Sequence, residues 1–298
     1  MVSMATRQAF SAASISGRDL ELLCAEVDAL PPLPAALSKL LELLNTDRAS
    51  PPAVEAVLRV DAALTARTLK LANSAQFGLR REVLSVAHAT ALLGTTRLRD
   101  LALCVSVASQ VPPHLAGYRM NASAAWQHNV GTAALTEELA RRVAPECQAT
   151  AFTAGMLHDV GKLAIGSLLE SHYPEVMAAV VERDLTLVVA ERETLGIDHT
   201  EVGELLLRRW GLPKEYSLTA RWHHEPSMAP AEVRTLVGLV HVASGLAHVF
   251  GFGADVFGLT RNTQEAERAA LGLTRAVVEA SVADALPRVQ ALSELVAG

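Results

Sequence analysis

Apolar positions along the chain recur at helical spacing, and the interruptions fall on proline, glycine and small polar residues. The first interruption is Leu30-Pro31-Pro32-Leu33-Pro34, which enforces an extended entry. After it Leu37, Leu40, Leu41 and Leu44 are spaced as one face of a helix requires. Ser50-Pro51 reads as an N-cap followed by proline at the first helical position. Asp61 reads as the cap of a helix running through Leu64, Leu69 and Leu71. Ser85 caps a short helix ending at Gly94, and Thr95 or Thr96 caps the next, through Leu98, Leu101, Leu103 and Val105.

The pattern changes at Val111-Pro112-Pro113-His114. Beyond it the periodicity predicts longer helices over 121–143, 148–169, 173–195, 198–210, 214–224 and 231–250. Two more helical stretches follow in 262–298, on either side of Leu271-Gly272-Leu273-Thr274. No segment shows the alternation of a half-buried strand. The expectation is an all-α, two-lobed helical fold. A flexible tail occupies 1–16, an N-terminal helical lobe 17–110, and a second lobe with C-terminal helices 111–298.

Composition supports this. Half of the 298 residues are hydrophobic but only 4% are aromatic, so Leu, Val and Ala must fill the core, and Ala and Leu favour helix. The net charge of −6 offers no basic face of the kind nucleic acid requires, so DNA binding is not expected. Cys24, Cys104 and Cys147 are widely separated and odd in number, which suggests reduced thiols rather than a disulfide framework. The N-terminus lacks a basic stretch followed by an apolar run, so no signal peptide is expected and the compartment reads as cytoplasmic. Thr235 to Phe252 lacks charged side chains, but it carries His241, Ser244 and His248 and three glycines. It reads as a buried core helix rather than a membrane span.

The candidate chemistry lies in the histidines. Leu157-His158-Asp159-Val160-Gly161-Lys162 places an imidazole beside a carboxylate, at the edge of an apolar stripe of Phe152, Met156, Val160 and Leu163. Imidazole supplies a neutral nitrogen, and carboxylate a charged oxygen able to bridge two divalent ions. Gly161 allows close approach of another element. Other candidates follow the same order along the chain: His128, then Asp198-His199, then His223-His224. Taken singly, each histidine reads more readily as a packed or solvated residue than as a ligand, and His223-His224 as a helix end.

The ordered set resembles the HD superfamily of metal-dependent phosphohydrolases. More narrowly it is similar to the HDOD family, relatives of the HD-GYP cyclic di-GMP phosphodiesterases. Further residues carry the resemblance: Leu33-Pro34, Arg59-Val60-Asp61, Leu71-Ala72-Asn73-Ser74, Ala91-Leu92-Leu93-Gly94 and Trp210-Gly211-Leu212-Pro213. It implies an HD-superfamily-like C-terminal lobe in which His128, His158, Asp159, His199, His223 and His224 are metal ligands. The implied cofactor is a weakly held divalent ion (Fe, Mn, Zn, Ni or Mg), and the implied small-molecule ligand a nucleotide. The implied role is that of a bacterial signalling module, acting on partner signalling proteins in trans.

Departures from the superfamily pattern shift the expected function. Ser244 stands where the last ligand should be Asp, Ala124 near where some relatives carry Glu, and Pro226-Ser227-Met228 where the GYP loop would begin. A hydroxyl brings no negative charge to a divalent ion, so the pocket is expected to bind metal weakly and to be non-catalytic. The alternative left open is a metal-dependent phosphohydrolase acting on a nucleotide or cyclic dinucleotide.

Overall fold

The computed structural model describes residues 17–29, 39, 43, 50–58, 65–66, 68–70, 73, 83–108, 114–253 and 265–297. Helices α1 (Gly17–Ala29), α2 (Pro51–Leu58) and α3 (Val86–Ala108) come first. Two short strands, β1 (His114–Leu115) and β2 (Met120–Asn121), pair antiparallel with Leu115 opposite Met120. Then follow α4 (Ala122–Val143), α5 (Gln148–Leu157), α6 (Lys162–Ser171), α7 (Tyr173–Glu182) and α8 (Leu187–Leu195). The chain continues through α9 (His199–Arg209), α10 (Lys214–Trp222), α11 (Arg234–Val249), α12 (Glu265–Ala270) and α13 (Arg275–Ala297). The fold is all-α, as the periodicity indicates.

Helix α4 is the axis of the larger core, with α5, α11 and α13 packed along it. Asn121 caps its start, accepting the Ala124 N–H at 2.8 Å. Its Trp126 is fully buried, and the indole N–H donates to the Leu292 carbonyl at 2.8 Å, fastening α13 to α4. Val54 and Leu58 of α2, and Val86, Leu98 and Ala102 of α3, join this core. A second core unites Leu23, Cys24 and Val27 of α1 with Leu115, Met120 and the apolar faces of α6 to α9. The metal candidates lie between the two.

Several element boundaries differ from the sequence reading. The helix expected over 148–169 is interrupted by a turn at 158–161, and the one over 173–195 is two helices separated by residues 183–186. The break expected at Gly94 is present: α3 is two helices that meet there, Gly94 taking a non-helical φ of 79° that only glycine adopts readily. The small ribbon before α4 was not anticipated. The boundary placed at residues 111–113, the Leu30–Pro34 entry and the Asp61 cap lie outside the described residues. Among the described residues no helix is long and apolar enough to cross a membrane, and the charge-free stretch around α11 is buried core. Cys24 is buried and Cys147 half-buried, and neither is in a disulfide.

Candidate metal centre

The interruption after α5 builds the site. Helix α5 ends at Leu157, and His158-Asp159-Val160-Gly161 turn the chain before α6 begins at Lys162. A side chain at Gly161 would collide with the His199 carbonyl and the Gly203 backbone, so glycine lets the turn press against the start of α9. Asp198 fixes that start from the other side. Its Oδ1 accepts the Thr200 and Glu201 N–H groups at 2.8 and 3.1 Å, and its Oδ2 accepts Arg192 Nη2 at 2.6 Å. His223 and His224 follow the last turn of α10, and His128 lies in the second turn of α4.

Asp159 is the hub. Its Oδ2 lies 3.6 Å from Nε2 of His128, 3.4 Å from Nε2 of His158 and 2.7 Å from the Lys162 ammonium. Its Oδ1 lies 3.5 Å from Nε2 of His199 and 3.4 Å from Nε2 of His223. His224 stands at the open edge, its Nε2 3.2 Å from that of His199. The structure therefore brings all six sequence-derived candidates together. Within each of two sets, Asp159–His199–His223–His224 and His128–His158–Asp159, the donor atoms lie within 4.8 Å of one another.

The surroundings orient these donors. Nδ1 of His158 meets the Gly155 carbonyl at 2.7 Å, and Nδ1 of His223 meets the Ala220 carbonyl at 2.9 Å. A carbonyl can only accept, so each Nδ1 carries the proton and each Nε2 turns a lone pair to the centre. Glu191 does the same for His199: Oε2 lies 2.7 Å from Nδ1 and accepts the His199 backbone N–H at 3.0 Å. The Tyr118 hydroxyl donates to the other oxygen of Glu191 at 2.9 Å. Glu191 and Tyr118 were not singled out from the sequence. Nor was His248, which stacks on His128 with ring centroids 4.2 Å apart.

Electrostatics put His128, His158 and Asp159 in their binding forms. Burial drives His158 down to about 3, and burial together with His248 and His158 holds His128 well below its usual range. Burial alone would raise the Asp159 carboxyl, but His158, Lys162 and His223 hold it well below the ordinary carboxylate value. For His199 burial is outweighed by Glu191, and its value rises. Nε2 of His158, Nε2 of His223 and Oδ1 of Asp159 are buried without a hydrogen-bond partner. Such orphans are costly unless something else satisfies them. A cation among them would do so, and these donors suit a divalent metal ion.

The departures from the superfamily pattern also have places. Ser244 faces the centre, with Oγ 3.3 Å from Nε2 of His128. Ala124 lies one turn before His128, its carbonyl so close to Gly253 that a side chain there would collide with it. The chain after His224 folds directly into the short turn Pro226–Met228. A cavity of about 20 Å³, enough for one water-sized occupant, opens between the ribbon and α4, with Asp159, Lys162 and His128 in its wall.

The HDOD domain family model matches residues 30–226. A curated relative from Treponema pallidum (strain Nichols), itself uncharacterized, is 27% identical over 248 residues. The match covers 82% of this chain but 45% of the relative, so the chain spans less than half of that protein's length. Among solved structures, an HDOD domain protein of unknown function from Geobacter sulfurreducens superposes with a TM-score of 0.72 at 24% identity, covering 98% of this chain and 97% of its own. A candidate phosphohydrolase from Shewanella amazonensis SB2B gives 0.71 at 26%, covering 92% and 98%. A candidate signal transduction protein from Marinobacter aquaeolei VT8 gives 0.74 at 22%, covering 99% and 64%.

Proposed function

This chain belongs to the HDOD family, and from that premise we propose that it is a non-catalytic signalling module that regulates partner proteins through a degenerate HD metal pocket. The observation that carries this reading is Ser244 beside His128, because it leaves Asp159 as the carboxylate among the six central donors. Two donor sets share Asp159, one with His199, His223 and His224 and one with His128 and His158, and either would hold a divalent ion, of which Fe, Mn, Zn, Ni and Mg are the candidates. Bound there, such an ion supplies Lewis acidity and positive charge. Burial keeps the imidazoles of His128, His158, His223 and His224 neutral, and acceptors behind His158, His199 and His223 turn their Nε2 atoms to the buried hub carboxylate.

Regulation follows from where those residues sit. The six donors come from α4, the turn after α5, the start of α9 and the end of α10. An occupant links these elements, and its loss frees them relative to one another. We take the partners to be signalling proteins acting in trans, the compartment to be the bacterial cytoplasm, and a nucleotide to be the class of any further ligand. The second reading is a metal-dependent phosphohydrolase acting on a nucleotide or cyclic dinucleotide. The gathering of five imidazoles around one carboxylate favours it.

In-cell cross-linking of the wild-type and Asp159→Ala chains, each checked for helix content by circular dichroism, tests the proposal. Partners whose yield depends on Asp159 support a pocket that regulates association. The same partners at the same yield in both would overturn it.

A further inference from the structure

Resting on the metal-pocket reading, we propose that the centre takes one divalent ion, on the His199–His223–His224 side of Asp159, while the Lys162 ammonium occupies the other side. The two oxygens of Asp159 are not equivalent. Oδ1 faces the imidazoles of His199 and His223 and has no hydrogen-bond partner. Oδ2 already carries the Lys162 ammonium at 2.7 Å. A second ion bound to Oδ2 would share one carboxylate oxygen with a buried positive charge, and both would share the carboxylate with the first ion. Three cations on one anion is an unstable arrangement where little water screens them.

The donor count agrees. On the Oδ1 side three imidazoles and a carboxylate oxygen make four ligands, the number that satisfies a tetrahedral ion. On the Oδ2 side are two imidazoles, His128 and His158, with the uncharged hydroxyl of Ser244 and an Oδ2 that Lys162 already holds. Negative charge behind the ligands is also one-sided. Glu191 backs His199 at 2.7 Å, whereas His158 rests on a neutral carbonyl and His128 is stacked on His248. A carboxylate behind a ligating imidazole raises its basicity towards the metal.

Lys162 is held in this position by more than its ion pair. Its ammonium lies 5.3 Å from the centre of the Tyr118 ring, and the Tyr118 hydroxyl donates to Glu191. Lys162 is also the first residue of α6, an end where the helix dipole disfavours a cation. Its place is explained by Asp159 rather than by the helix it begins. Tyr118 thus touches both halves: it backs the lysine with its ring and the ion's ligand His199 through Glu191.

Native mass spectrometry after equilibration with Zn²⁺ or Mn²⁺ counts the ions. One ion per wild-type chain is expected. His128→Ala should retain one ion with affinity changed by less than about tenfold, and His199→Ala should lose at least about a hundredfold. Lys162→Met should admit a second ion. Electron paramagnetic resonance of the Mn²⁺-loaded wild type gives the same answer without any substitution, as an isolated six-line spectrum. Two ions of similar affinity in the wild type, an exchange-coupled manganese pair, or loss of binding in His128→Ala but not His199→Ala would overturn the inference and leave the metal pocket standing. A single ion in a folded Lys162→Met chain would overturn the role given to the lysine. No bound ion in any chain would overturn the metal-pocket reading itself.

Discussion

Glu191 holds His199 by two atoms at once: the same carboxylate oxygen accepts the histidine's backbone N–H at 3.0 Å and lies 2.7 Å from its Nδ1. The contact fixes both the start of α9 and the tautomer of the ring. Glu191→Ala should therefore weaken Zn²⁺ binding by about 10–100-fold. Glu191→Gln should weaken it less, since its carbonyl oxygen still accepts from Nδ1. Competition titration against a fluorescent chelator reads the difference. Equal affinity in Glu191→Ala and the wild type would remove Glu191 from the site.

Gly161 should not tolerate a side chain. The Cβ of Gly161→Ala would enter the His199 carbonyl, which belongs to backbone and cannot rotate away. The expected cost is about 1–3 kcal/mol of stability, with His199 displaced from Asp159. Thermal unfolding and Zn²⁺ affinity should fall together. A variant with lowered stability and unaltered affinity would show that the turn and the site are independent.

The residues that escaped the sequence reading did so for physical reasons. The His128-to-His224 order was legible because the ligands sit in distinctive neighbourhoods, and Gly161 because a His-Asp pair followed by glycine suggests close contact. Glu191 lies in an ordinary amphipathic helix, eight residues before the histidine it orients, and no local spacing marks it. The break at His158 was hidden because Phe152, Met156, Val160 and Leu163 continue the helical stripe across it. The turn forms because packing against α9 outweighs that continuity. The ribbon of Leu115 and Met120 is too short for a period of two to register.

Asp198→Ala should destabilise the chain by about 2 kcal/mol, the upper range for losing an N-cap. The side chain is buried, caps α9 through two backbone N–H groups and pairs with Arg192. Chemical denaturation measures the loss. Asp198→Asn should recover part of it, because an amide oxygen still caps while the ion pair is gone. No recovery by Asn would assign the loss to the Arg192 pair instead.

Ser244→Asp should lower the melting temperature of the metal-free chain, because it buries a second carboxylate near Asp159. The same substitution should enlarge the rise in melting temperature on adding Zn²⁺, since an anionic donor beside His128 lets the Oδ2 side take an ion of its own. Differential scanning calorimetry with and without the ion checks both signs. A smaller Zn²⁺ response than wild type would mean that Ser244 does not occupy a ligand position.

Binding pocket and active site are separated most directly by turnover of the metal-loaded chain on cyclic di-GMP and on bis(p-nitrophenyl) phosphate. Mn²⁺, Fe²⁺ and Ni²⁺ are each supplied at saturation, and Asp159→Ala serves as the blank. With Ser244 in the place of a carboxylate and Lys162 on Oδ2 of Asp159, the predicted rate is that of the blank for every ion. Hydrolysis well above the blank, lost in Asp159→Ala, would contradict the non-catalytic reading and make the centre the active site of a phosphohydrolase.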